Sequence, residues 1–258
     1  MLSGKDWQGI RMIVGVLLVL VVAFVIGARL QSRPKPADDN CVGVPHSSTI
    51  IVIDNSQAIT EQTRREIIAR SQAFIRDSVR NNERVSVFRI SASSADSLVP
   101  VLSVCKPPNS GNALIEDERA IARRFREKFE VPLRKALEQP PTSSEASPIA
   151  EAILDLSLSE YLRADTNTVM LFSDLLENTP AFSLYGCRNG DDAIRAFRES
   201  RRGARERPHF RHARIILHVV PRTSLSANTT PSCRDRFWMW FFGDNEGGSL
   251  VPDYLPGK

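Results

Sequence analysis

Oxygen-bearing side chains follow two apolar stretches of the sequence, and a further hydroxyl lies between them. Asp54 and Ser56 come directly after the β-branched run 49–53, and Asp174 follows a second apolar run. Ser147 precedes an apolar pattern with helical spacing. Two carboxylates together with hydroxyl oxygens are ligands that suit a hard divalent cation such as Mg²⁺. Together with Asn55 and Ser173, which lie in the same loops, these side chains indicate a candidate site for such a cation where the loops meet.

The elements that must position these side chains are buried strands that alternate with helices. The runs 49–53 and 168–172 have the length and composition of strands buried on both faces. Helical patterns follow each of them, which indicates a mainly parallel, Rossmann-like α/β sheet with helices on both faces. The segments 84–90 and 98–105 are typical of a hairpin and predict one antiparallel edge strand. Ligands bind at the carboxyl edge of such sheets, where Asp54 and Asp174 are expected.

The three polar loops resemble those of the von Willebrand factor A (VWA) domain family. They read DNSQA from position 54, SPIAEAI from position 147 and SDL from position 173. The family's metal-ion-dependent adhesion site has Asp-x-Ser-x-Ser, then Thr, then Asp in the corresponding loops. The resemblance covers roughly 49–248 and implies a VWA-like domain over 48–258. It also implies that a cation such as Mg²⁺ at Asp54, Ser56, Ser147 and Asp174 would bridge to an acidic residue of a protein partner.

Three positions depart from the family pattern. Ala58 lacks the oxygen that the second Ser of the first loop would give. Ser147 takes the place of Thr and keeps the hydroxyl, and Leu175 replaces a Gly that many members have. The site thus has one ligand fewer than the family's, and a domain that keeps the fold without the metal is the alternative.

The N-terminal part of the chain contains a long apolar segment. The 17 residues 12–28 carry no charge, and Arg11 and Arg29 flank them. A helix of that length measures about 26 Å, at the low end for spanning a bilayer. The pattern predicts a transmembrane helix over 12–28 that contacts the lipid bilayer, between a tail (1–11) and a linker (29–47). A cleaved signal peptide is the alternative.

The four cysteines bear on the compartment. Their number is even and none forms a CxxC pair, which argues against a zinc ribbon. Disulfides in an oxidising compartment explain them, and four free thiols are the alternative. Together with the predicted helix, they favour a single-pass protein of the cell inner membrane with a periplasmic domain. The positive charges on the two sides of the apolar segment nearly balance and do not decide its orientation.

These features favour an interaction module without enzymatic activity over two alternatives. We expect a membrane-anchored VWA-like domain that binds a protein partner within a larger envelope assembly, with no nucleic acid and no small-molecule substrate. A metal-dependent phosphoester hydrolase using Asp54 and Asp174 is one alternative. A nucleic-acid binder that uses the arginine-rich stretch 195–214 is the other. The net charge of +4 over 258 residues is too small to establish a nucleic-acid partner by itself.

Overall fold

The computed structural model describes residues 4–31, 36–56, 58–92, 98–111, 117–140, 146–221, 230–243 and 250–255. The chain forms two compact units, Met1–Ala37 and Asp38–Lys258. The strands are β1 (Ser47–Asp54), β2 (Arg84–Ile90), β3 (Pro100–Cys105), β4 (Thr166–Ser173), β5 (Arg214–Val219) and β6 (Leu250–Tyr254). The α-helices are α1 (Gly4–Gln31), α2 (Glu61–Asp77), α3 (Glu118–Phe125), α4 (Val131–Glu138), α5 (Ile149–Leu158), α6 (Gly190–Ser200) and α7 (Pro231–Phe242).

The first unit contains α1, and here the structure corrects the sequence prediction. Among the described residues, no helix combines the length and the apolar character that crossing a membrane requires. The predicted transmembrane helix over 12–28 is therefore wrong. Its uncharged run of 17 residues gives about 26 Å of helix, less than the roughly 30 Å of a hydrocarbon core. The expected bilayer contact depended on this helix and is withdrawn with it.

The second unit is built on one six-stranded sheet within the described residues. The strand order is β3-β2-β1-β4-β5-β6. Neighbouring strands are parallel except for β3, which is antiparallel to β2 at the edge. This confirms the prediction of a mainly parallel, Rossmann-like sheet with one antiparallel edge strand. β1 lies at the centre, and all its residues from Ser48 to Ile53 are buried, because helices cover both faces.

Each face of the sheet has its own apolar core. Ile50 and Val52 of β1 point to the core that contains the buried side chains of α5, α6 and α7. Ile51 and Ile53 point to the opposite core, which α2 and α4 complete. Alternate residues of a strand point to opposite faces, so a continuous apolar run can fill both cores.

The helical region over 118–138 is interrupted. α3 and α4 are joined by one π-helical turn, Arg126–Glu130, and Pro132 lies in the first turn of α4. Because Pro132 has no N–H, it cannot bond to the carbonyl of Lys128 four residues earlier. That carbonyl accepts instead from Asn40 Nδ2 at 3.0 Å. The proline thus explains where the regular α-helix stops.

Strand β6 was not predicted from the sequence. It pairs in parallel with β5 and contains Pro252, a residue that argues against a central strand but is tolerated at an edge. Its side-chain anchor is Asp253, which contacts Arg70 and lies 3.1 Å from Nδ1 of His218. These contacts join residues far apart in sequence, so local patterning carries no sign of them.

All four cysteines form disulfides, which confirms that part of the prediction. Cys41 pairs with Cys105 at a Cα–Cα distance of 4.9 Å. Cys187 pairs with Cys233 at a Cα–Cα distance of 6.0 Å. The first bridge lies at the amino edge of the sheet, where antiparallel β3 ends opposite the start of β2. The second joins the loop after β4 to the first turn of α7.

Candidate metal centre at the carboxyl edge of the sheet

Three loops meet at the carboxyl edge of the sheet around the end of β1. β1 and β4 are adjacent and parallel, with Ile53 level with Phe172, so Asp54 and Ser173 end their strands side by side. Ser147 lies in the loop that leads into α5 and also reaches Asp54. The strand order therefore brings together side chains that are more than ninety positions apart in sequence.

The carboxylate of Asp54 is surrounded by hydroxyl groups. Ser56 Oγ lies 2.7 Å from Asp54 Oδ1, and Ser56 N–H donates to the same oxygen at 3.0 Å. Ser173 Oγ donates to Asp54 Oδ2 at 2.8 Å, and Ser147 Oγ donates to it at 3.4 Å. Ser56 Oγ and Ser147 Oγ are 3.0 Å apart. The structure thus brings Asp54, Ser56, Ser147 and Ser173 into contact.

Asp174 shares a cavity with this cluster. The cavity has a volume of about 240 Å³, and Asp54, Ser56, Ser173 and Asp174 all line it. One oxygen of Asp174, Oδ1, accepts from the N–H of Leu176 at 2.9 Å. Apolar side chains, among them Ile59, complete the cavity wall. All four predicted ligands are therefore gathered at one edge of the sheet, three in contact and the fourth on the same cavity.

The donor set fits a small divalent cation. Octahedral Mg²⁺ with bonds of about 2.1 Å has neighbouring ligand oxygens about 3 Å apart. Ser56 Oγ lies at 2.7 Å and 3.0 Å from its oxygen neighbours in the cluster. Within the described ranges, no three His, Cys, Asp or Glu side chains form a metal-binding group. Here the donors are two carboxylates and hydroxyls, and Ala58 presents only a methyl group at the cavity, so waters would complete the shell.

The first loop is held in place by a half-buried arginine. Asn55 Oδ1 accepts from Nη1 of Arg89 at 3.0 Å, and Asn55 N–H donates to the carbonyl of Ile90 at 3.0 Å. Arg89 Nη2 in turn donates to the carbonyls of Ala136 and Leu137 at the end of α4. Burial lowers the pKa of Arg89 to about 10, so the group keeps its charge at neutral pH. Asn55 thus anchors the loop between the two site residues Asp54 and Ser56.

The third loop adopts a left-handed backbone without a glycine. Leu175 has φ 60°, a region that costs a residue with a Cβ about 1–2 kcal/mol. Its side chain is buried, and its carbonyl accepts from Nε1 of Trp238 at 2.7 Å. Its N–H donates to Ser173 Oγ at 2.8 Å. Burial and these bonds explain how a residue with a Cβ is held in this conformation.

The second loop is held by backbone pairing with the third. Ser147 N–H donates to the carbonyl of Asn178 at 2.7 Å, and Asn178 N–H donates back to Ser147 at 3.0 Å. Ser147 is therefore not the N-cap of α5; that position falls to Pro148, which has no capping side chain. Instead, Glu177 accepts from the N–H of Ala150 in the first turn at 2.7 Å. The Ser147 hydroxyl is thus available to the Asp54 cluster.

Glu177 is a buried acid that the sequence reasoning missed. Its side chain is fully buried. Burial raises the pKa of Glu177 well above its ordinary value, and the hydrogen bond and charge of Glu151 raise it further. Two carboxyl groups can bond to each other only with a proton between them. The sequence feature that could have indicated it is the position of this acid, three residues after Asp174 and directly after the apolar pair Leu175 and Leu176.

Arg234 of α7 also supports the third loop and was not singled out from the sequence. Its Nη1 donates to the carbonyl of Asp174 at 3.3 Å, and its Nη2 pairs with Asp235 at 2.9 Å. The guanidinium is buried, and the neighbouring carboxylate balances its charge. Together with Trp238, it fixes the third loop from the side of α7.

Replacing Glu177 with Gln is expected to make the protein more stable above neutral pH. The folded-state pKa of Glu177 lies above the unfolded value of 4.5. Its contribution to stability is therefore complete below that value and is lost as the pH rises through the folded-state pKa. Gln stays neutral, can accept from Ala150 N–H and can donate to Glu151. Thermal unfolding from pH 5 to pH 9 measures the effect, at about 2–4 °C for each kcal/mol.

The matched control is Glu127→Gln at an exposed position of the π-helical turn, which should leave the pH dependence as in the parent. If the curves of Glu177→Gln and the parent ran parallel across this range, Glu177 would not be the protonated acid described here.

Comparisons with known proteins identify no family. No protein-family model matches the chain, and no curated protein matches it. Among solved structures, the chain is similar to the pilus adhesin SpaC of Lactobacillus rhamnosus GG in its open conformation (TM-score 0.45, 8% identity, 84% of this chain). It is also similar to the human COPII-coat protein Sec24c (TM-score 0.34, 12% identity, 87% of this chain). The chain spans 28% of the adhesin chain and 30% of the coat-protein chain.

Proposed function

We propose that the protein is a VWA-like interaction module that binds a protein partner at the carboxyl edge of its sheet. A divalent cation such as Mg²⁺ would be held by Asp54, Ser56, Ser147 and Asp174. The observation that carries this proposal is the cluster of oxygens from separate loops around Asp54. Asp54 and Ser56 of this cluster line the cavity that Asp174 shares, and Ser147 Oγ lies 3.0 Å from Ser56 Oγ.

The chemistry of the site fits an acidic group on the partner. A bound divalent cation would supply a positive charge with open coordination positions for an incoming carboxylate oxygen. The chain's own residues fix the position of that charge, because Asn55, Leu175 and the Ser147–Asn178 bridge hold the three loops rigidly. A rigid site loses little conformational entropy on binding, which favours affinity.

The cavity wall adds an apolar contact beside the charged one. Ile59, Ile67, Val220 and Pro221 line the cavity together with the carboxylates. An acidic residue flanked by apolar side chains would therefore match the cavity better than an isolated charge in a polar segment. This combination favours a folded or looped protein segment over a small hydrophilic ion as the ligand.

The disulfides support an oxidising compartment for the domain. Two bridges join Cys41 to Cys105 and Cys187 to Cys233. Disulfides of this kind persist in secreted and periplasmic proteins and are rare in reducing compartments. We therefore place the domain in the periplasm or on the outer face, where it would take part in a larger envelope assembly.

The alternative of a phosphoester hydrolase has less support. The cavity wall, as far as the described residues define it, includes two carboxylates and no Lys, Arg or His side chain. Phosphoryl transfer needs positively charged groups that stabilise the negative charge of the transferred phosphoryl group. The arginines of 195–214 are not among the described residues of that wall. The carboxylates, hydroxyls and apolar side chains of the cavity wall therefore fit an interaction module better than a phosphoester hydrolase.

Ser147 provides a direct test, because only its hydroxyl is required. Ser147→Ala should weaken Mn²⁺ binding by roughly tenfold, whereas Ser147→Thr should bind like the parent. Capture of a partner from extracts of the host should depend on Mg²⁺ and follow the same order among the variants. Calorimetry measures the first effect, and affinity capture with and without a chelator measures the second. Equal binding by the Ala and Thr variants would overturn the assignment of Ser147.

A further inference from the structure

The connection from α6 to β5 carries a dense set of arginines that the proposed function does not use. Residues 195–214 contain eight arginines and no lysine, against two glutamates, Glu199 and Glu206. In the structure this stretch runs from the middle of α6, through a series of turns, to the first residue of β5. It lies at the amino edge of the sheet, because β5 runs parallel to β1 and begins at Arg214.

Part of this set is already neutralised within the domain. Arg195 pairs with Asp192, Arg198 pairs with Glu206 at 2.8 Å, and Arg201 lies 3.6 Å from Glu151. Four others are exposed, and no acidic side chain of the described residues forms a salt bridge with them. We call these four residues the arginine surface: Arg202, Arg205, Arg211 and Arg214.

The local backbone is built to expose one of these arginines. Arg211 and His212 both have left-handed backbones, with φ of 48° and 64°, and both side chains are exposed. Such a conformation is unfavourable for residues with a Cβ and persists only where the surroundings impose it. Here the flanking Phe210 and Ala213 are fully buried, and Ala213 N–H donates to the carbonyl of Phe210 at 2.9 Å. The tight turn therefore presents Arg211 to solvent in a fixed position.

The arginine surface is separate from the candidate metal centre. The two lie at opposite edges of the same sheet, and six residues of β5 separate them, a distance of about 20 Å. A partner bound at one edge would therefore leave the other accessible. The surface also differs in charge, because the metal centre is built from carboxylates.

We propose that the arginine surface binds an acidic segment of a protein partner. Guanidinium groups bind carboxylates through two parallel hydrogen bonds, which ammonium groups cannot form, and the stretch contains arginine only. On the same stretch Arg198 and Arg201 already pair with carboxylates. The disulfides favour an oxidising compartment for the domain.

The test uses the full chain and a labelled 12-residue peptide of alternating Glu and Gly, with Gln replacing Glu in the reference peptide. Binding is measured by fluorescence anisotropy at 50 mM and 300 mM salt. All samples contain a chelator, so that a cation at Asp54 cannot bind the peptide. We expect binding that weakens with salt, and a dissociation constant at least tenfold higher in Arg205→Glu/Arg211→Glu.

The matched control is Arg123→Glu/Arg124→Glu, which makes the same change in charge at exposed positions of α3. This variant should bind the peptide like the parent. Arg205→Lys/Arg211→Lys keeps the charge and should bind less tightly than the parent, because the bidentate geometry is lost. If thermal unfolding shows that the charge-reversed variant folds poorly, the lysine variant replaces it in the test.

Three results would overturn the proposal. One is the absence of peptide binding at 50 mM salt. Another is equal loss in the two charge-reversed variants, which would indicate a non-specific effect of net charge. The third is tighter binding of a single-stranded oligonucleotide or of vesicles of anionic phospholipid with the same number of charges. Because every sample contains a chelator, these results leave the proposal for the metal centre unaffected.

Discussion

Replacing Asp54 with Asn is expected to weaken Mg²⁺ and Mn²⁺ binding by at least about 100-fold, because a ligand carboxylate and its charge are lost. Asp54 accepts hydrogen bonds from hydroxyls on all three loops. Asn has nearly the same shape and can keep part of these bonds, so the fold should persist. Calorimetric titration of the protein with each cation measures the change.

The control for this prediction is Asp165→Asn, which makes the same chemical change at an exposed position next to His46. It should leave metal binding as in the parent. Capture of the partner should be lost in Asp54→Asn and kept in Asp165→Asn. Unchanged cation affinity in Asp54→Asn would show that any bound cation lies elsewhere.

Removing the disulfides is expected to have the largest effect on stability. The cysteine pairs are 64 and 46 positions apart in sequence. For loops of this length, chain-entropy estimates give about 4 kcal/mol for each bridge, and measured losses are about 2–5 kcal/mol. Urea unfolding of the variants Cys41→Ala/Cys105→Ala and Cys187→Ala/Cys233→Ala measures these losses.

The two bridges should differ in their effect on the candidate metal centre. Cys233 lies in the first turn of α7, next to Arg234, and Trp238 follows one turn later. Both of these side chains donate to carbonyls of the third loop. Loss of the Cys187–Cys233 bridge should therefore weaken cation binding as well as stability. Loss of the Cys41–Cys105 bridge, at the opposite edge, should lower stability alone. Equal cation affinity in the two double variants would argue against a role of α7 in positioning the loop.

The central sheet could be predicted because its sequence signals are local. The runs 49–53 and 168–172 are β-branched or otherwise apolar and end abruptly in polar residues. Short β-branched runs of this kind are typical of strands covered on both faces, and the polar residues after them locate the site edge. Asp54, Ser56 and Asp174 were identified in this way, and Ser147 from its place ahead of an apolar pattern with helical spacing.

The supports of the site could not be predicted, because they depend on tertiary contacts. Arg89 reaches Asn55 from a neighbouring strand, and Glu177 caps α5 from another loop. Leu175 has a left-handed backbone, and its buried side chain and the bond from Trp238 to its carbonyl hold it there. Strand β6 was not predicted because it contains Pro252. A proline is tolerated in a strand at the edge of a sheet, and that edge position depends on the tertiary fold.

For the N-terminal helix, a strong local sequence pattern led to a wrong prediction. The apolar run 12–28 predicted a transmembrane helix, but no helix of the described residues meets the length and apolarity that crossing a membrane requires. The uncharged run has 17 residues, the lower limit for a helix that crosses a bilayer. The α1 helix itself was correctly expected there.

The most direct test of the central claim is paramagnetic broadening by Mn²⁺ in isotope-labelled protein. Backbone amide signals near a bound Mn²⁺ disappear at substoichiometric concentrations. We expect selective loss of the signals of Ser56, Ser147, Asp174 and their loop neighbours, and retention of those at the amino edge. The same signals should return when Mg²⁺ is added in excess. Broadening at other positions, or none at these three loops, would contradict a metal-bridged interaction site at the end of β1.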